Sequence, residues 1–256
     1  MTKHVIVAAL ALVAAMTGRA AAQNWTGFYV GGNVTYASGQ DTGDTVITRC
    51  CSDRTYFGVT SGPDYFKLNP DGWLAGGQIG FNWNIGGSWI VGIEADYQGG
   101  TAYGRRTNST SSNNFLYTDT TEQKLSEMAT LRARAGFSID RVLYFFTGGA
   151  ASAIVKTITS DSQYAPLVGH NYPWSASVAI NQRHYGWTVG GGTEIQVSRG
   201  WSLKLEYLFV DLGHQAALLF NANRGVGQGS ATLVSMRTDI SEHLFRVGVN
   251  YQFGGT

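Results

Sequence analysis

Charged residues set at alternate positions are the first chemistry this sequence offers. Glu94, Asp96, Arg132, Arg134, Glu194, Lys204, Glu206 and Arg246 each belong to a run that alternates with apolar residues, such as Ile93-Glu94-Ala95-Asp96 or Leu131-Arg132-Ala133-Arg134. Four are acids and four are bases. A charge taken out of water needs an opposite partner, so these residues suit mutual neutralisation in an interior. If Trp89 pairs with Phe137 on the next strand, Glu94 falls opposite Arg132. If Val197 pairs with Trp201, Glu194 falls opposite Lys204. Around a wider, wet passage the same residues would form a selectivity ring.

Other reactive residues form weaker constellations. His184, His214 and His243 recur late in the chain, and Ser241-Glu242-His243 has residue types used in catalysis. In a strand, Ser241 and His243 share a face and Glu242 does not. No nucleophile motif accompanies them, so no catalysis is expected. His170-Asn171-Tyr172 carries types able to ligate haem iron, within a polar stretch where they would equally be solvated. Gly190-Gly191-Gly192 is followed by neither a helix nor Lys-Ser/Thr, so it is read as easing sheet curvature and close packing, not as a phosphate loop. Cys50-Cys51 are adjacent, with Cα atoms about 3.8 Å apart; a local, strained disulfide stapling a turn is expected, and zinc would need two further ligands. No cofactor and no metal are expected.

The elements that must position the charges are strands. Trp73, Ala75, Gly77, Ile79, Phe81, Trp83 and Ile85 alternate with Gln78, Asn82 and Asn84; Trp89, Val91, Ile93, Ala95 and Tyr97 alternate with Glu94, Asp96 and Gln98. Similar period-two runs occur near 28–36, 123–137, 183–197, 201–209 and 245–253. The run 142–155 alternates poorly, and its faces stay open. That makes eight strands of about 10–12 residues, long enough to cross a bilayer at a tilt. Connections after the second, fourth and sixth are short, near 86–88, 138–141 and 198–200. Those after the first, third, fifth and seventh are long, about 39–72, 99–122, 156–182 and 213–240, and read as loops. Long connections that all leave from one end, with an even strand count, describe a transmembrane barrel with short periplasmic turns and four long outer loops. Phe28, Trp83, Trp89, Phe137, Trp201, Tyr251 and Phe253 would ring the inner interface. Tyr36, Trp73, Tyr97, Tyr185, Tyr207 and Phe245 would ring the outer one.

The whole chain agrees. Of 256 residues, 34 are Gly and only 14% are charged, and the net charge of +1 gives no basic stripe for nucleic acid. The longest apolar run, Val5–Met16, is too short to span as a helix. With Lys3 and His4 before it and Ala20-Ala21-Ala22 after it, residues 1–22 read as a signal peptide, leaving 23–256 as the barrel. Two cysteines exclude a disulfide-stapled fold. A soluble sandwich would also alternate, but its apolar faces would meet a core instead of lipid.

Trp25-Thr26-Gly27-Phe28-Tyr29-Val30-Gly31-Gly32-Asn33, Leu143–Ala150, Gly186–Glu194 and the closing His243–Phe253 resemble the porin-like small outer-membrane β-barrel proteins of alphaproteobacteria, the opacity-type eight-stranded barrels. The resemblance implies an all-β, antiparallel, up-and-down barrel in the outer membrane, bound by lipid and inserted by the outer-membrane assembly machinery. It implies a role in envelope structure and surface interaction, for some relatives haemin binding or host contact through the loops, and no enzyme. A small passive porin is the competing reading. Such barrels often finish on Phe; here Tyr251 and Phe253 are expected to act as the assembly signal, although Gly254-Gly255-Thr256 follow.

Overall fold

A computed structural model of the chain describes residues 25–50, 59–60, 64–112, 115–164, 174–225 and 228–253. The expected signal peptide, Cys51, His170-Asn171-Tyr172 and Gly254–Thr256 lie outside the described residues. The expected disulfide and loop haem ligands therefore fall outside them too; Cys50 ends the strand Asp41–Cys50.

Eight long strands form a ring. In chain order these are β1 (Gly27–Gly39), β5 (Asp71–Gly86), β6 (Trp89–Ser112), β7 (Phe115–Ile139), β8 (Val142–Tyr164), β9 (Trp174–Ser198), β10 (Trp201–Gly225) and β11 (Gln228–Gln252). Every neighbour is antiparallel, and β1 closes the ring against β11 from Tyr29↔Gln252 to Gly39↔Glu242. Closure leaves no sheet edge in hydrocarbon, where an unpaired backbone amide or carbonyl has no water to turn to. The turns at Gly87, Asp140 and Gly200 are short, and each of these residues takes a positive φ. Both interface rings face outward, and their members pack laterally. Trp89 meets Phe137, with ring centroids 6.3 Å apart; Phe137 stacks on Tyr144 at 5.4 Å; Trp201 meets Tyr251 at 5.1 Å. The faces of β8 are settled too: Leu143, Phe145 and Thr147 point inward, whereas Tyr144 and Phe146 point to lipid.

The four long connections are not mainly loops. β6 to β11 run 23 to 25 residues each, about 80 Å at 3.3 Å per residue, against the 9–11 residues that a tilted strand needs to cross. The first connection holds β2 (Asp41–Cys50), β3 (Val59–Thr60) and β4 (Asp64–Leu68). β2 pairs with β11 beyond the end of β1, so it continues that strand past a break at Gln40. These stretches read as loops because they lack apolar alternation. Outside the membrane a strand needs no greasy face, since the ladder and polar cross-strand pairs such as Thr107–Thr120 and Ser109–Thr118, both 3.2 Å, hold it.

Beyond the membrane the ring divides. The β9–β10 ladder ends at Trp187↔Asp211, and the β5–β6 ladder at Asp71↔Tyr103. Past these points the described residues form two sheets, β6–β7–β8–β9 and β10–β11–β2 with β4 on its edge. They meet through side chains. Thr157 Oγ1 donates to Gln215 Oε1 at 3.1 Å, and an Arg106 guanidinium nitrogen donates to the Tyr65 carbonyl at 3.5 Å.

Candidate functional site: a filled lumen

The lumen is filled in layers. At the turn end Trp25, Ile90, Leu143 and Phe145 form an apolar plug. Toward the outer end Leu74, Met128, Val155, Leu208, Leu212 and Leu244 belong to a second buried apolar cluster. Between the two lie Glu94, Asp96, Arg132, Arg134, Glu194, Lys204, Glu206 and Arg246, each buried.

Those eight residues form one connected network. Arg132 donates to Glu206 at 2.8 Å, to Asp96 at 2.9 Å, and to Glu94. Lys204 Nζ donates to both Glu94 oxygens at 2.6 and 2.7 Å and lies 3.3 Å from Glu206. Arg246 bridges Asp96 at 3.1 Å and Glu206 at 3.2 Å. Arg134 holds Glu194 at 3.0 Å and lies 3.6 Å from Glu94. Four acids meet four bases, so the network carries no net formal charge. Partners of this quality are what make burial of an ion tolerable.

The register sets Glu94 opposite Arg132 and Glu194 opposite Lys204. The pairing of Val197 with Trp201 is not observed: a bulge puts Trp201 opposite Ser198, and the register settles at Ser202↔Gln196. Lys204 also turns away from its strand neighbour and crosses the lumen to Glu94. Glu194 is held instead by Arg134, Ser202 and Asn250. A long side chain in a narrow tube reaches the far wall, so the ion pairs follow depth more than register.

Polar residues that charge reading passes over complete the site. The Tyr29 hydroxyl donates to Glu94 at 2.7 Å and accepts from Arg134 at 2.9 Å. Arg134 stacks over the Phe145 ring, 4.3 Å from its centroid. Thr130 supports Asp96, and Asn33, Gln78 and Asn250 form a side-chain chain at the turn-end side. The signal for these was present in the inward parity that Tyr29 and Asn33 share. Inward glycines make the room. A Cβ at Gly80 would collide with the Tyr29 hydroxyl, and one at Gly192 with the Leu205 carbonyl.

A second acidic feature lies beyond the outer aromatic ring. Asp41 and Glu242 are both buried, and among the described residues neither has an ion-pair partner. The Asp41 carboxylate accepts from the Ser241 amide at 3.0 Å, and Gln123 hydrogen-bonds to it from the opposite sheet. Burial raises the Asp41 carboxyl to about 7, against the pull of those two donors. Glu242 is held well above the usual carboxylate range by burial and then by Asp41. Of Ser241-Glu242-His243, Glu242 faces the lumen, whereas His243 Nδ1 lies 2.7 Å from the Tyr207 hydroxyl on the outer wall.

Tyr251 and Phe253 face lipid at the last turn. Phe253 stacks on Phe28 at 5.8 Å, and its amide donates to the Phe28 carbonyl at 2.8 Å. The final strand is thereby bonded to the first residues of the barrel.

A family model described as outer membrane protein beta-barrel domain matches residues 5–253. The 31 kDa outer-membrane immunogenic protein of Brucella melitensis is 29% identical over 231 residues, covering 90% of this chain and 84% of that one. The 22 kDa outer membrane protein of Rhizobium leguminosarum bv. viciae is 27% identical over 192 residues, covering 74% of this chain and 65% of that one. Among solved structures, Neisserial surface protein A aligns over 89% of this chain and 98% of its own, at 13% identity and a TM-score of 0.41. Eight antiparallel strands closed into a ring, a lipid-facing wall between two aromatic belts, and a family match along nearly the whole chain lead to one conclusion: this protein belongs to the outer membrane protein beta-barrel domain family and resides in the outer membrane.

Proposed function

We propose that the protein is a closed, non-enzymatic barrel that contributes to envelope structure and offers its outer extension for surface interactions. What carries this reading is the lumen: a neutral network of buried ion pairs sealed between two apolar layers. An eight-stranded interior is about wide enough for side chains to fill, and here they fill it. Tyr251 and Phe253 serve as the signal for the assembly machinery, and outer-membrane lipid is the constant partner. A haemin or host ligand would engage the extension, not the lumen.

Planar-bilayer recording of the folded protein tests the closed lumen. The expected outcome is little or no steady conductance. A large, stable conductance whose ion selectivity changes in Glu94→Gln would establish the passive porin instead.

A further inference from the structure

The outward face of the β6–β9 sheet carries a row of hydrogen-bond donors that no acceptor meets among the described residues. Tyr103 on β6 is opposite Lys124 on β7, Lys124 is opposite Lys156 on β8, and Lys156 is opposite Asn181 on β9. All four side chains are exposed. Two lysines in directly opposed positions of an antiparallel ladder bring their stems within about 5.5 Å, an arrangement that like charge disfavours. The acids on that face are already engaged: Glu122 with Arg105 at 3.5 Å and Glu127 with Arg183 at 3.6 Å. Among the described residues, the outward charges of this sheet beyond the aromatic ring are Arg105, Lys124, Lys156 and Arg183 against Glu122 and Glu127, a surplus of two positive charges. Such a row is complementary to an anion with several acceptor oxygens.

Its height indicates where that anion comes from. Lys156 lies four residues beyond Ser152, whose strand partner is Tyr185 of the outer aromatic ring. Along a tilted strand that is about 10 Å past the tyrosines. There the wall faces the headgroups of the outer leaflet and not its acyl chains.

We propose that Tyr103, Lys124, Lys156 and Asn181 form a binding site for the phosphate of an outer-leaflet glycolipid headgroup. The lysine pair supplies the charge, and the tyrosine hydroxyl and asparagine amide flank it as neutral donors. The site rests on the outer-membrane placement of the barrel and is independent of whether the lumen conducts.

The test is native mass spectrometry of the whole folded protein in mixed micelles. The micelles contain diphosphorylated lipid A, the same lipid with its phosphates removed, or no lipid A but inorganic phosphate. Wild-type protein retains the phosphorylated lipid over the dephosphorylated one, and free phosphate does not replace it. Lys124→Gln with Lys156→Gln lowers retention about thirtyfold, whereas Arg237→Gln, on the outward face of the other sheet, leaves it unchanged. Lys156→Glu guards against a folding artefact. It places an acid opposite Lys124, so the lipid-free barrel melts no lower than wild type while the lipid is lost. Equal retention of both lipids, equal retention by the double variant, or full displacement by free phosphate would overturn the site.

Discussion

Glu94 pairs with three bases of the lumen, Arg132, Arg134 and Lys204, and the structure sharpens what its loss should do. It takes hydrogen bonds from Lys204, Arg132 and Tyr29. Glu94→Gln strands Lys204, whose remaining acid, Glu206, is shared with Arg132 and Arg246. The expected loss is about 3–5 kcal/mol, the usual result of unpairing a buried ion, read as a lower unfolding temperature of the folded band on a gel. Glu94→Gln combined with Lys204→Met should recover part of it, a non-additivity that marks contact. Combination with Arg132→Met should recover less, because Arg132 also serves Asp96 and Glu206. Asp41 supports a pH prediction of definite sign. Its folded-state pKa, about 7, lies above the unfolded value of about 3.9, so folding favours the protonated form. That stability is complete below the unfolded value and drains away as pH rises toward 7. Glu242 beside it shifts in the same direction. Protease cleavage within the outer sheets should therefore be faster near about pH 8 than near about pH 5. Asp41→Asn should flatten that difference and protect the sheets at the higher pH; an unchanged profile in this variant would show that another group sets it.

At the scale of elements, legibility followed the solvent. Where strands cross lipid, the apolar parity of Trp73–Ile85 or Phe245–Phe253 gave both the strand and its outward face. Where they leave it, Thr101, Tyr103, Arg105 and Thr107 alternate in exposure but not in hydropathy, so nothing in the residue types marked a strand. The same limit applies to the lumen. Parity put Glu94, Arg132, Glu194 and Lys204 inside, but it could not show that Lys204 spans the tube, nor that Asp41 and Glu242 would meet beyond the lipid with no base between them. Those depend on tilt and on the bulge near Ser198, which no local pattern encodes. The last strand yields its own test. Phe253 packs on Phe28 and Tyr251, so Phe253→Ala should reduce the fraction of protein recovered as folded barrel in outer membranes, while deletion of residues 254–256 is tolerated. Normal insertion of both variants would remove Phe253 from the role of terminal signal.

For the whole molecule, ring closure has a cost measured in time. One edge of the first strand has its partners far along the chain: Tyr29 waits for Gln252, and beyond the strand Asp41 waits for the Ser241 amide 200 residues later. Contacts this distant in sequence form slowly. Until they do, β1 and β11 each present an unpaired edge of the kind that captures other chains. The emerging polypeptide must therefore stay open and escorted until its final strand is complete. The fold thus stakes its success on a single late event, in which one ladder of residues converts a sheet with two vulnerable rims into a tube with none.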